Sequence, residues 1–349
     1  MKKFVKWFYV FCILSIVYSC QSGKVSEKKF LSEQNISAVH IPINEIIKIG
    51  NIYKMKDFCI LRDVQSNAKY NFYVYSYPEF KFLYSFCPKG NGAEEYLMPT
   101  VIKNTKGNLF SFRDHGTDKY VTYQLNDTCA TLLDEFQLMS NSDRFFWEIN
   151  YICDDRYVLK NANSKQSSRD LWNIKDNIRL DTLPNTFDLV SKMKKNYYTE
   201  FDDVWISASN NNVAFAYFFI DRIELGIVEG KKMRLTNNIG KSSAPDFYLF
   251  TNNSASGKYK YNVDNNIVYY EDLVSTTHSV YGLYAGVPWG DLEKYHSSLI
   301  EVYDWKGTPI KLLNLNESIA SMAIDETEKK IFGINPDLNE DSILVFSYD

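Results

Sequence analysis

The sequence predicts an all-β protein: a six-bladed β-propeller of four-stranded antiparallel blades, its ring closed by an N-terminal strand. Three observations carry this. Aromatic residues make up 16% of the 349-residue chain, with 26 Tyr and 23 Phe, and such side chains suit the half-buried pleated surface of a sheet. Beyond residue 40 the apolar residues come in short runs between Asn, Asp and Gly turns, and only "SMAIDETEKKIF" and "FDLVSKMKKNYY" hint at short helices. The runs also recur as divergent units spaced about 35–50 residues apart, which is the mark of a repeat architecture.

Six units can be followed. The first joins "NIYKMKDFCILRD" to "YNFYVYSYPEFKFLYSF". The second runs from "TVIKN" through "GNLFSFRDHGTDKYVTYQLN" to "TLLDEF". "FFWEINYICDDRYVLKN" and "SSRDLWNIKDNIRLDTL" form the third, and "DVWISASNNNVAFAYFFIDRIELGIVEGKKMRLT" the fourth. The fifth joins "YKYNVDNNIVYYEDL" to "SLIEVYDWKGTPIKLLNL" across a long insertion. The last, "SIASMAIDETEKKIFGINPDLNEDSILVFSYD", holds only three strands before Asp349. The turns "SNNN", "VDNN" and "DETEKK" carry residues that tolerate tight reversals. A sheet that is apolar on both faces cannot stand alone; arranged radially, each blade packs on its neighbours and its edges stay short. The spare strand "AVHIPINEI", Ala38 to Ile46, supplies the outer strand the last unit lacks. A pair of β-sandwiches is the competing architecture, and the blade-length period favours the ring.

The first residues read as an address. "MKKFVKWFYVFCILSIVYSC" opens on lysines and runs apolar from Trp7 to Val17, far short of the roughly 20 residues a membrane-spanning helix needs. Its end, "VYSC", resembles the lipobox of bacterial lipoproteins. That resemblance implies cleavage after Ser19, a diacylglyceryl group on the Cys20 thiol and acylation of the new amino group; several acyl chains anchor where one binds only marginally. The expected organisation is therefore a signal peptide over 1–19, a flexible polar tether over 20–37 and the propeller over 38–349. The expected location is the outer membrane, facing the periplasm or the exterior, with the membrane itself as a partner through the lipid.

The formal charge of −4 becomes more negative once Lys2, Lys3 and Lys6 leave with the signal peptide. An acidic chain without a basic stripe is a poor binder of nucleic acid. Cys59, Cys87, Cys129 and Cys153 form no CxxC and lie in or beside apolar runs, so buried free thiols are expected.

Four stretches carry residue types that could do chemistry. "KGNGAEEY" lacks the third glycine and the helix of a dinucleotide fingerprint, and reads as a link between blades. "NPDLNEDS" alternates Asp337, Asn339 and Asp341 but lacks the glycine and glutamate of a calcium loop, so it reads as a hairpin tip. "FRDHG" joins Arg113, Asp114 and His115 at a hairpin on the face where propeller ligands dock; a histidine beside a carboxylate can transfer protons there. The insertion "VSTTHSVYGLYAGVPWGDLEKYHSS" places Trp289, Tyr295 and His296 in an irregular segment, and loops of that length carry function more often than short links do.

"PKGNGAEEYLMP", "VYGLYAG" followed by "IEVYDWKGTPIKLLNL", and "ASMAIDETEKKIFGI" resemble the TolB-like six-bladed propeller lipoproteins of Gram-negative bacteria. Ala93 stands where that family often has proline. The resemblance implies the propeller fold, lipid anchoring and a binding role; it offers no catalytic residue, metal or cofactor to carry over. The expectation is a binding or scaffolding module for a protein or glycan, with contacts around one mouth of the channel. The alternative is a propeller-type hydrolase, lactonase or lyase, which requires several ionisable side chains converging on the axis.

Overall fold

A computed structural model describes residues 28–138, 145–162, 167–184, 204–241, 250–253, 258–261, 266–337 and 341–349. The chain enters through β1 (Ser32–Ile36) and β2 (Ala38–Pro42) and then lays down its blades in order. Blade one is β3 (Ile49–Lys54), β4 (Phe58–Asp63), β5 (Tyr70–Ser76) and β6 (Phe82–Pro88). Blade two is β7 (Pro99–Ile102), β8 (Leu109–Asp114), β9 (Lys119–Leu125) and β10 (Ala130–Gln137). Blade three is β11 (Phe145–Cys153), β12 (Arg156–Ala162), β13 (Ser167–Asn173) and β14 (Ile178–Pro184). Blade four is β15 (Val204–Ser209), β16 (Asn212–Tyr217), β17 (Arg222–Glu229) and β18 (Lys232–Gly240). A separate hairpin, β19 (Phe250–Asn253) and β20 (Lys258–Tyr261), follows. Blade five is β21 (Ile267–Ser275), β22 (Ser279–Pro288), β23 (Ser297–Asp304) and β24 (Pro309–Ile319). Blade six is β25 (Ser321–Asp325), β26 (Lys330–Ile334) and β27 (Ser342–Ser347), completed by β2.

Strand alternation explains why these sheets stack. Successive side chains point to opposite faces, so on β4 Phe58 and Ile60 enter a cluster with Phe110, Phe112 and Val121 of blade two. Cys59 and Leu61, between them, enter a cluster with Phe332 and Ile343 of blade six. The same logic repeats around the ring. Separate apolar clusters join blades two and three, three and four, four and five, and five and six. With the two that flank blade one, every junction of a six-membered ring is filled. Turns follow local chemistry: Asp154 and Asp155 both take positive φ between β11 and β12, as a two-residue reversal of this hand requires.

Closure uses the N-terminal strand, as expected. β2 pairs antiparallel with β27 from Ala38↔Phe346 to Pro42↔Ser342. Two other expectations need correction. Within the stretch 20–37 read as a tether, residues from Lys28 onward are docked: β1 pairs parallel with β24 as a fifth strand of blade five. Ahead of it, Phe30 packs on Tyr303, and Lys28 is bound by Asp221 and Glu301. Cys20 itself lies outside the described residues. In blade five, "YKY" belongs to the separate hairpin rather than to the blade, while "VYGLYAG", the part of the insertion expected to be a strand, is the second strand of the blade, β22. Short alternating runs announce a strand without naming its partner. Of the thiols, Cys59 and Cys87 are buried, Cys153 is half-buried and Cys129 is exposed; all four are free. Among the described residues no helix is long and apolar enough to cross a membrane.

Candidate functional site

The inner strand of each blade lines a cavity on the axis with a volume of about 600 Å³, within the range typical of small-molecule sites. Blade one contributes Asn51, Tyr53 and Lys54 from β3 and Arg62 from β4; blade two contributes Lys103 and blade three Glu148. Trp205 and Ser207 come from blade four, Glu271, Asp272 and Ser275 from blade five, and Ser321 and Met322 from blade six.

A polar network ties most of this lining together. Lys103 Nζ donates to Asp272 Oδ1 at 3.3 Å and lies 3.6 Å from Glu148 Oε2. Asp272 also accepts from the backbone N–H of Leu273 at 2.8 Å and of Met322 in blade six at 2.9 Å. Burial works against the charge on Lys103, but Asp272 and Glu148 more than offset it and hold its pKa above the usual lysine range. A lysine held in that way is a fixed cation rather than a proton shuttle. The buried amide of Asn150 reaches the carbonyl of Ile206 at 3.0 Å and accepts from Asn104 at 3.2 Å, joining blades two, three and four. Ser207 and Ser275 share a hydroxyl contact of 2.8 Å, and Ser207 Oγ accepts from the Ser275 N–H. Lys54 is matched by Asp325 at 3.1 Å. Among the described residues no three His, Cys, Asp or Glu side chains gather as a metal-ligating set.

The residues proposed from sequence fall in two other places. Arg113 is buried and ion-paired with Asp118. Asp114, fully buried, accepts from the Met98 N–H and from both the N–H and hydroxyl of Thr117, each within 2.9 Å. His115 meets Thr100 Oγ1 at 2.9 Å, and burial, reinforced by Arg113, pushes its pKa down to about 4. The structure thus sets these three as braces of the β8–β9 hairpin, next to the cavity wall through Thr100. In the other group, Trp289 is half-buried, with its ring 5.3 Å from Phe219, and Tyr295 is 49% exposed. His296 is buried between Glu271 Oε1 at 2.5 Å and Asp337 Oδ2 at 2.9 Å. Both ring nitrogens face carboxylate oxygens, so the imidazolium form satisfies both. Ser297 Oγ donates to the other Glu271 oxygen at 2.9 Å. His296 therefore reaches the axis only through Glu271. Of the calcium-like tip, Asp337 holds His296 and Lys48, whereas Asn339 lies outside the described residues.

The cavity residues went unread in the sequence, although a signal exists. Lys103 in "TVIKN", Glu148 in "WEINY", and Glu271 with Asp272 in "YYEDL" each interrupt an apolar first strand of a blade, where a solvated face is not expected.

Comparison with known structures supports the architecture. A Bacteroides fragilis protein inferred to be exported superposes with a TM-score of 0.55 at 15% identity, covering 91% of this chain and 99% of its own. A member of a domain family of unknown function from Bacteroides vulgatus gives 0.56 at 10% identity, covering 89% and 96%. No curated protein matches the chain. The profile of a propeller family does match, over residues 26–327, a span that takes in the inner strands of all six blades. The chain belongs to the TolB-like 6-blade propeller-like family.

Proposed function

We propose that this propeller is a cell-envelope binding module, anchored by lipid at Cys20, that receives a ligand in its axial cavity and presents or retains it at the membrane. The observation that carries this reading is the convergence of one inner strand from each blade on a cavity of about 600 Å³. A leader ending in "VYSC" and the fold shared with a Bacteroides protein inferred to be exported support the envelope address.

The enzymatic alternative draws on the convergence of Lys103, Glu148 and Asp272. Catalysis asks for an acid or base poised near the working pH. Lys103 is instead held protonated, and Asp272 is engaged by two backbone amides and a lysine. Binding therefore fits this geometry better than proton transfer. Turnover of a lactone or glycoside that is lost in Glu148→Gln would reverse the order of the two readings.

The test is a thermal-shift screen of cell-wall glycan fragments, oligosaccharides and short peptides, repeated on Ala320→Trp. Ala320 lines the cavity and is half-exposed ahead of β25. An indole there should abolish the stabilisation produced by a bound ligand while leaving the Tm of the free protein close to wild type. Ligands that bind both proteins equally would place the site elsewhere.

A further inference from the structure

Blade one differs from the others in how its polar side chains are spent. Arg62 lies on β4 and lines the cavity. Among the described residues its guanidinium has no hydrogen-bond or ion-pair partner, and its Nε is shut away from solvent. Asn51 is its cross-strand neighbour, in register on β3, so the two side chains share a face. Tyr53, two residues further along, shares that face and also lines the cavity. Neither the Asn51 amide nor the Tyr53 hydroxyl has a hydrogen-bond partner among the described residues. Leaving a buried donor unmade is costly, and a charged one more so. With the half-buried Asn51 and Tyr53 beside it, Arg62 forms a row of polar groups on the cavity wall whose hydrogen bonds a ligand can complete.

The charges say what kind of ligand. Lys103 is matched by Asp272 and Glu148, Lys54 by Asp325, and Glu271 by His296. Lys56 is exposed at the rim. Arg62 has no such direct partner among the described residues, and the terminal nitrogens of its planar guanidinium suit an oxyanion accepting two parallel hydrogen bonds. Two carboxylates face the single cation Lys103, so with Arg62 this lining is near neutral; a monocarboxylate adds one negative charge at the guanidinium, whereas a phosphate dianion would add two beside Glu148 and Asp272. Across the axis stands the half-buried ring of Trp205, the paired Ser207 and Ser275 line the wall between, and Ser321 lies in the neighbouring blade six, a lining that suits a hydroxylated, uncharged ligand body.

We infer that the cavity takes a sugar acid, a hydroxylated monocarboxylate, whose carboxylate is clamped by Arg62 with the Tyr53 hydroxyl and the Asn51 amide beside it. This rests on the cavity being the ligand site. The same chemistry is offered by a free uronic acid and by the uronate end of an oligosaccharide, so both are tested.

Isothermal titration with glucuronate, a glucuronate-terminated disaccharide, glucose, the methyl ester of glucuronate and glucose-1-phosphate decides the matter. One or both carboxylates should bind wild type at least about tenfold more tightly than the neutral sugars and the phosphate, the difference a charge-assisted fork supplies. Arg62→Gln should lose that preference, and Arg62→Lys should keep part of it. Binding by the disaccharide alone assigns the site to a polymer end; binding by both leaves the free acid competent. The free Arg62→Gln protein should melt at or above the wild-type temperature, because no native partner is lost. Equal binding of glucose and glucuronate, an unchanged affinity in Arg62→Gln, or a large fall in its melting temperature would each overturn the assignment. A cavity ligand that Ala320→Trp blocks, found while neither carboxylate binds, removes the sugar-acid assignment and leaves the binding reading standing; with no such ligand, both fall.

Discussion

Two histidines respond to pH in opposite directions. Burial opposes the charge on His296, but its hydrogen bonds and attraction to Glu271 and Asp337 outweigh that and hold its pKa above the ordinary value of 6.5. Among the described residues, Ser297 on Glu271 and Lys48 on Asp337 are the other polar side chains bonded to those carboxylates. A folded pKa above the unfolded one means that this contribution to stability is complete below pH ~6.5 and fades as pH rises through the folded value. His115 is the reverse: its pKa of about 4 means stability present above pH ~6.5 and lost as pH falls toward 4. Denaturant midpoints should therefore decline on both sides of a maximum near neutrality. His296→Gln should flatten the alkaline limb and His115→Gln the acid limb; an alkaline limb unchanged in His296→Gln would show that the imidazolium is not what holds blades five and six there. These residues also show how far the sequence could be read at this scale. "FRDHGTDK" looks like a constellation for chemistry because Arg, Asp and His are adjacent, yet Asp118 and Thr117, a few residues on, take up Arg113 and Asp114, and Thr100 on the neighbouring strand takes His115. Arg62 looks like an ordinary surface cation at the end of an apolar strand. Nothing within its own run of residues says that its neighbours in space leave it unpaired.

Strands were easier to read than their pairings. Blades one to four follow the alternation of their own residues, each strand joining the next by a short turn. The N-terminal segment escaped because "SEQNI" is polar and carries no alternation; β1 is held by backbone pairing at an edge, with only Ile36 buried. Its anchor lies upstream. Lys28 donates to Asp221, to Glu301 at 3.1 Å and to the Tyr270 hydroxyl at 3.0 Å, and Tyr270 and Tyr303 both donate to Glu301. Glu301 is 5% exposed, so removing the cation leaves a buried carboxylate with phenols alone. Lys28→Met should lower stability by about 2–3 kcal/mol, the low end for breaking a buried pair because Lys28 itself is part-exposed. Urea unfolding measures it, and a midpoint equal to wild type would mean that the segment contributes nothing to holding blades four and five together. Gly282 shows a second local demand at the same junction: a Cβ there would stand 2.9 Å from the Tyr270 ring, so the glycine in "VYGLYAG" makes room for a neighbour's aromatic side chain.

For the molecule as a whole, the number of blades and the manner of closure were both legible, because three terminal strands and one spare strand at the opposite end leave a single way to complete a sheet. The axial cavity was not, since each blade supplies only a few of its residues and no local pattern points toward an axis. Anchoring is a property of the entire chain, and Cys20→Ala should shift it from the membrane to the soluble fraction; retention with the membrane would rule out lipid as the tie. One consequence follows from β2 lying on β27. The residues of β2 must wait for those of β27, about 300 positions later, before blade six is complete. A chain still emerging from the ribosome therefore cannot lock shut. Under the proposed export, such a chain crosses the membrane unclosed and the finished circle follows on the far side.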